Sequence, residues 1–168
     1  MAEMTPQERL LPFLLDRLVD EEPQSKVESR ERRVISFKQF HKAILRDLQW
    51  LLNSATKAER DEIDEFPEVA KSVLNYGMPD LAGRTASSVD ARVLERLLVK
   101  VIADFEPRLL RSSIKVKIIA DPEKMNHNAM CFGIEAELWA QPLPLRLFLR
   151  TDIDLETGSV NVTDQGQG

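Results

Sequence analysis

Apolar positions along the chain follow two different periods, and the change from one to the other sets the expected fold. Phe37, Phe40, Ile44, Leu48, Leu51 and Leu52 recur at spacings of three and four, which predicts an amphipathic helix. Ser36 and Gln39 frame its start as a capping box, and Asn53-Ser54 ends it. Lys42, Arg46, Asp47 and Gln49 fall on its polar side, and Trp50 lies off the apolar stripe, to cover either a rim or a partner. Pro67 opens a short helix through Val69, Ala70, Val73 and Leu74, with Gly77 as its left-handed cap. A second long helix starts at Ser87 or Ser88, with Asp90 in its first turn. Its face is Val89, Val93, Leu97, Val101 and Phe105, supported by Leu94, Leu98 and Ile102, and Pro107 ends it near Phe105.

Beyond Pro107 the period drops to two. Ile114, Val116 and Ile118 alternate with Lys115 and Lys117. Met130, Phe132, Ile134, Ala136 and Leu138 alternate with Cys131, Gly133, Glu135, Glu137 and Trp139, and Leu145, Leu147 and Leu149 alternate with Arg146, Phe148 and Arg150. Asp121-Pro122 and Asn126-His127-Asn128 read as breaks, and Glu156-Thr157-Gly158-Ser159 as a turn into Val160-Asn161-Val162. Three or four strands with polar outer faces predict an α+β domain, N-terminal helices packed on a small, largely antiparallel C-terminal sheet.

The N-terminus fits neither regime. Leu10, Leu11, Phe13, Leu14, Leu15, Leu18 and Val19 crowd around Pro12, which confines any helix to a short one starting near it. Thr5 with Glu8 forms a further capping-box pattern. From Glu21 to Arg33 the chain is charged and loop-like. Residues 1–33 therefore read as an apolar arm on a charged tether, and 34–168 as the folded domain. The arm either docks on a partner or folds back onto its own core.

Composition narrows the function by exclusion. The 168 residues carry 23 Lys+Arg against 28 Asp+Glu, a net charge of −5. That acidic balance argues against binding nucleic acid through phosphate neutralisation. No apolar run reaches membrane-spanning length, and the first residues lack the pattern of a signal peptide, so a cytoplasmic location is expected. One cysteine, Cys131, excludes a disulfide framework, and His41 and His127 have no companions at metal-ligand spacing. Six glycines without a Gly-rich loop leave no phosphate cradle, so neither cofactor nor metal is expected.

Glu106 is the acid most open to a catalytic reading. Glycoside hydrolysis needs two carboxylates across a cleft, one of them protonated. Arg108, two residues on, favours the ionised form instead, so a fixed Glu106–Arg108 pair or paired partner contacts is the simpler expectation. Glu135 and Glu137, near Arg146 and Arg150 on the next strand, read as cross-strand charge pairs.

Five motifs in order carry a resemblance. They are Leu14-Leu15-Asp16-Arg17-Leu18; Leu45-Arg46-Asp47-Leu48-Gln49-Trp50-Leu51-Leu52-Asn53; Ser72 through Leu81; Phe105-Glu106-Pro107-Arg108-Leu109; and Asp154-Leu155-Glu156-Thr157-Gly158. Together they resemble the TssE family of type VI secretion baseplate subunits. That family is a branch of the contractile-phage baseplate wedge proteins, some of which carry a "lysozyme-like" label. Met78, where a leucine is expected, and Ala82, where a threonine is common, are small departures. The resemblance implies a non-enzymatic part of a baseplate at the inner face of the cytoplasmic membrane, without membrane insertion or nucleic acid. Implied partners are TssF, TssG, TssK, the VgrG hub and the TssB–TssC sheath, whose first ring such a protein templates. Leu14, Leu15, Asp16, Arg17, Leu18, Glu106, Pro107 and Arg108 are the implied partner-binding residues. The label leaves one alternative, a peptidoglycan hydrolase using Glu106.

Overall fold

A computed structural model describes residues 13–18, 24, 35–56, 63, 65–85, 88–119, 129–139 and 145–165. The expected elements at Thr5–Glu8, in most of the 21–33 tether and around Asp121–Asn128 lie outside the described residues.

Helices α1 (Leu14–Leu18), α2 (Phe37–Asn53), α3 (Pro67–Ala70) and α4 (Ala91–Phe105) precede strands β1 (Lys115–Ile118), β2 (Ala129–Leu138), β3 (Leu145–Asp154) and β4 (Val160–Asp164). The strands form one antiparallel meander in the order β1-β2-β3-β4, and α2 lies against β4 while α4 lies against β1. The fold is the expected α+β arrangement.

The α2 capping box is present: Gln39 N–H donates to Ser36 Oγ at 3.3 Å, and Ser36 N–H donates to Gln39 Oε1 at 2.9 Å. Phe40, Ala43, Ile44, Leu48, Leu51 and Leu52 are buried, and Phe37 stays partly exposed at the first turn. In α4 the cap is Asp90 rather than a serine. Its carboxylate accepts from the N–H groups of Arg92 (2.9 Å) and Val93 (3.2 Å). The buried stripe is Leu94, Leu98, Val101 and Ile102, so the face is rotated from the Val89–Phe105 line, and Val93 is partly exposed. Both rows have helical spacing, and packing on β1 selects the bulkier leucines.

The helix expected from Pro67 through Leu74 is interrupted. It ends at Ala70, and Ser72 Oγ caps a separate 3-10 turn, Val73–Asn75, by accepting from Leu74 N–H at 3.3 Å. The turn swings Val73 and Leu74 outward, 82% and 75% exposed. Gly77 has φ +116° and does more than end this segment. A Cβ there would lie 2.1 Å from Ser54 O, where the chain after α2 and the Gly77–Met78 segment meet in an isolated parallel bridge, Ala55 with Met78.

β3 runs further than the Leu145–Arg150 alternation, because Thr151 and Ile153 continue its buried row. Phe132, Ile134, Leu138, Leu147, Leu149 and Ile153 fill the core beneath the helices. On the other face Cys131 is also buried. Its thiol donates to Asp152 Oδ1 at 2.8 Å, and Arg150 bonds both groups. Glu135 finds Lys115 across the β1–β2 ladder at 3.8 Å, while Glu137 sits opposite Arg146 in register.

The outer edge of β4 is occupied. Asn53 on α2 accepts from Val160 N–H at 3.0 Å and donates to Val160 O at 2.7 Å. Gln49, one turn earlier, accepts from Val162 N–H at 2.7 Å and also donates to Val160 O. Two side-chain amides thus stand in for a neighbouring strand. At the opposite edge, Glu95 of α4 accepts from Ile118 N–H at 2.9 Å.

Candidate functional site

The five sequence motifs come together as two spatial units. In the first, the turn after Pro79 meets the β3–β4 turn. Gly83 N–H donates to Leu155 O at 2.8 Å, and Gly158, with φ +73°, leaves room for Ala82. Leu81 and Leu155 are both buried in this contact region.

The second unit joins the arm, α2 and the Glu-Pro-Arg box. Pro107 stops α4 at Phe105, and Glu106 caps it with its N–H on Ile102 O at 2.8 Å. A tight turn follows, with Leu109 N–H on Glu106 O at 3.2 Å. The chain then runs beside the end of β2, with Leu109 bridging Leu138 and Trp139 N–H donating to Arg108 O at 2.8 Å. This geometry aims both charged side chains of the box inward. Glu106 is 3% exposed and Arg108 8%. Arg108 donates through Nε and Nη2 to the two Glu106 oxygens, a bidentate pair. Pro107 remains exposed at the tip.

The charges continue outward from that pair. Arg108 Nη2 also donates to Asp47 Oδ2 at 2.7 Å. Asp47 Oδ1 accepts from Arg46 Nε at 2.8 Å, and Arg46 Nη1 donates to Asp16 Oδ1 on α1 at 2.7 Å. Glu106, Arg108, Asp47, Arg46 and Asp16 therefore form a chain of strictly alternating sign across three segments. Phe13 closes it: its ring stands over the Arg108 guanidinium at 4.3 Å and packs on Phe40 at 5.2 Å. Burial opposes the Arg108 charge, yet the bonds from Glu106 and then Asp47 outweigh it and raise its pKa. The Asp47 bond, against burial and with help from Asp16, raises Arg46 as well. Tyr76 packs edge-on against Phe105 at 5.4 Å. Burial, then the charges of Asp47 and Glu106, push its phenol up, with Arg108 opposing.

Of the two expectations for the arm, the contacts of Phe13 and Asp16 show the fold back onto its own domain. Phe13 and Asp16 face the domain, while Leu14 and Leu18 are 71% and 72% exposed and Leu15 and Arg17 also face outward. Trp50 is exposed as well, with Arg46 stacked over its ring at 5.0 Å.

The structural reading of Glu106 is the paired one: both of its carboxylate oxygens are engaged by Arg108. Among the described residues no cluster of His, Cys, Asp or Glu could hold a metal ion, and no helix is long and apolar enough to cross a membrane. His41 Nε2 lies 3.4 Å from Asp164 on β4. Sequence reasoning did not foresee that Phe13, Arg46, Asp47 and Tyr76 gather around the box. Nor did it foresee that Gln49 and Asn53 hold β4, although two amides one helical turn apart on a polar face were a usable signal.

Fold and site together define a small α+β domain whose distinctive charged residues are spent on internal fastening rather than on an open cleft. The family model described as baseplate wedge protein gp25 matches residues 38–143, from α2 to just beyond β2, and the chain belongs to that family. No curated protein and no solved structure gives a match.

Proposed function

We propose that this chain is a TssE-type, non-enzymatic structural subunit of a type VI secretion baseplate. In this reading it joins the TssF–TssG wedge, with TssK attached, in the baseplate that surrounds the VgrG hub, and templates the first TssB–TssC sheath ring. The observation that carries the reading is the exposed leucine side of α1, whose inner side contacts the buried Glu106–Arg108 pair through Phe13 and through Asp16, Arg46 and Asp47. An apolar helix face fixed on a rigid domain is a protein-docking element, and Leu14, Leu15 and Leu18 are its contact residues. Asp16 and Arg17 flank them, and Pro107 extends the same interface. Sheath templating uses backbone pairing at a sheet edge. The β1 edge, where Glu95 engages Ile118 N–H, suits it better than β4, which α2 already occupies.

The test is co-purification of the full chain with TssF and TssG. Leu14→Asp with Leu18→Asp should abolish the complex while the circular dichroism spectrum and melting temperature stay unchanged. Undiminished capture would refute the docking role. The hydrolase alternative has no observation in its favour, since Glu106 is buried and paired.

A further inference from the structure

We infer that the Glu106–Arg108 pair is a positioning element that seats α1 on its own domain, through Asp47, Arg46 and Phe13, so that Leu14, Leu15 and Leu18 meet a partner as one preformed apolar face. The inference rests on the docking role of α1 proposed above and adds how the box contributes to it.

Three observations lead there. Arg108 is 8% exposed, and its bonds run to Glu106 and Asp47, so its reach toward a partner is indirect. Second, α1 is only five residues long, too short to persist as a helix on its own. Third, its two inward groups both end on the box: Phe13 on the Arg108 guanidinium, and Asp16 on Arg46, which shares Asp47 with Arg108. Removing Arg108 takes away the surface under Phe13 and frees Asp47 to turn. The seat of α1 is then weakened at both ends.

Seating matters because an arm that must order on binding loses affinity to the cost of ordering. The partner that fits is a protein surface with an apolar groove, edged by a carboxylate for the outward Arg17. Trp50 on α2, with Arg46 over its ring, is a further exposed apolar side chain.

The experiment pairs hydrogen exchange on the arm with binding to TssF–TssG, using the full chain. Phe13→Ala, Asp16→Asn and Arg108→Ala should each speed exchange in the α1 peptide at least about tenfold and weaken binding by a similar factor. Exchange in β2 should stay slow in the first two. They leave the buried Glu106–Arg108 pair intact, so they remain informative should Arg108→Ala fail to fold. The decisive arm is rescue. Asp16→Cys and Arg46→Cys, bridged by a short bismaleimide in an Arg108→Ala, Cys131→Ala background, should bring binding back to within about threefold of wild type. Unchanged α1 exchange in Phe13→Ala and Asp16→Asn would overturn the seating. A bridged arm that stays protected but does not bind would also overturn it, and would make Arg108 a direct contact. If Leu14→Asp with Leu18→Asp binds normally while α1 stays protected, it is the docking role that fails and the seating that stands.

Discussion

Asp47 and Arg108, 61 residues apart in sequence, are joined by a 2.7 Å hydrogen bond between Oδ2 and Nη2. Each residue sits in its own motif, one on α2 and one in the turn after α4, and this bond makes the two motifs a single physical unit. Asp47 uses its other oxygen on Arg46, so it is the hinge between the buried pair and the arm.

Removing Asp47 therefore leaves a buried guanidinium with one carboxylate partner instead of two. Asp47→Ala should lower stability on the order of 2 kcal/mol, reduced from the fully buried case because the Asp47 side chain is partly exposed. Arg108→Ala should cost more, about 3–5 kcal/mol, because it strands Glu106 in the interior. Replacing both partners with apolar groups, Glu106→Leu with Arg108→Met, should cost less than Arg108→Ala alone. Urea unfolding of the four proteins checks the order, and a double variant that loses as much stability as Arg108→Ala would contradict the buried-pair account.

At Gly77 the backbone itself is the constraint. Its φ of +116° disfavours any L side chain, and a Cβ would overlap the Ser54 carbonyl at 2.1 Å. Gly77→Ala should cost on the order of 3 kcal/mol. Gly83, with φ +75° but open space around it, should lose only about 1 kcal/mol as Gly83→Ala. Thermal melts of the two variants should separate them clearly.

Much of this was legible in the amino-acid order. Ser36 with Gln39, the stop at Pro107 and the period-two strands marked α2, the end of α4 and the sheet, because caps, prolines and alternation act locally. The rotation of α4 was not legible, since Val93-Leu97-Val101 and Leu94-Leu98-Ile102 have the same spacing and only the packing partner decides between them. The break at Lys71–Ser72 was hidden because Val73 and Leu74 continue an apolar run that the fold leaves outside. The Glu106–Arg108 pair could be read from two positions, whereas the links through Asp47, Arg46 and Asp16 depend on tertiary approach.

The buried Cys131 thiol and the partly buried Tyr76 phenol make stability depend on alkaline pH. Burial first, then Asp152, raises the Cys131 thiol from its ordinary range, and burial first, then Asp47 and Glu106, raises the Tyr76 phenol from its own. In both, the fold favours the neutral form. Their stabilisation is complete below the unfolded values and is lost as pH rises through the folded ones. Melting temperature should hold to about pH 9 and then decline. Tyr76→Phe should flatten the upper part of that decline and Cys131→Ala the lower part. Parallel curves for wild type and both variants would count against this origin.

The amides of Gln49 and Asn53 protect the edge at β4, and their removal should be felt twice. Val160 loses partners for both its N–H and its carbonyl, and Val162 loses one for its N–H. Gln49→Ala with Asn53→Ala should therefore lower stability by about 2–3 kcal/mol, at roughly 1 kcal/mol for each of these three backbone groups. The second effect concerns association rather than folding. With the amides gone, consecutive outward backbone groups of β4 are free to pair with another chain. The double variant should elute partly as dimers or larger species on size exclusion, increasingly so with concentration. Leucine at both positions should restore bulk over the edge without restoring the bonds. If Gln49→Leu with Asn53→Leu stays monomeric, steric cover by α2 is sufficient, whereas association equal to that of the alanine pair makes the backbone bonds themselves the barrier.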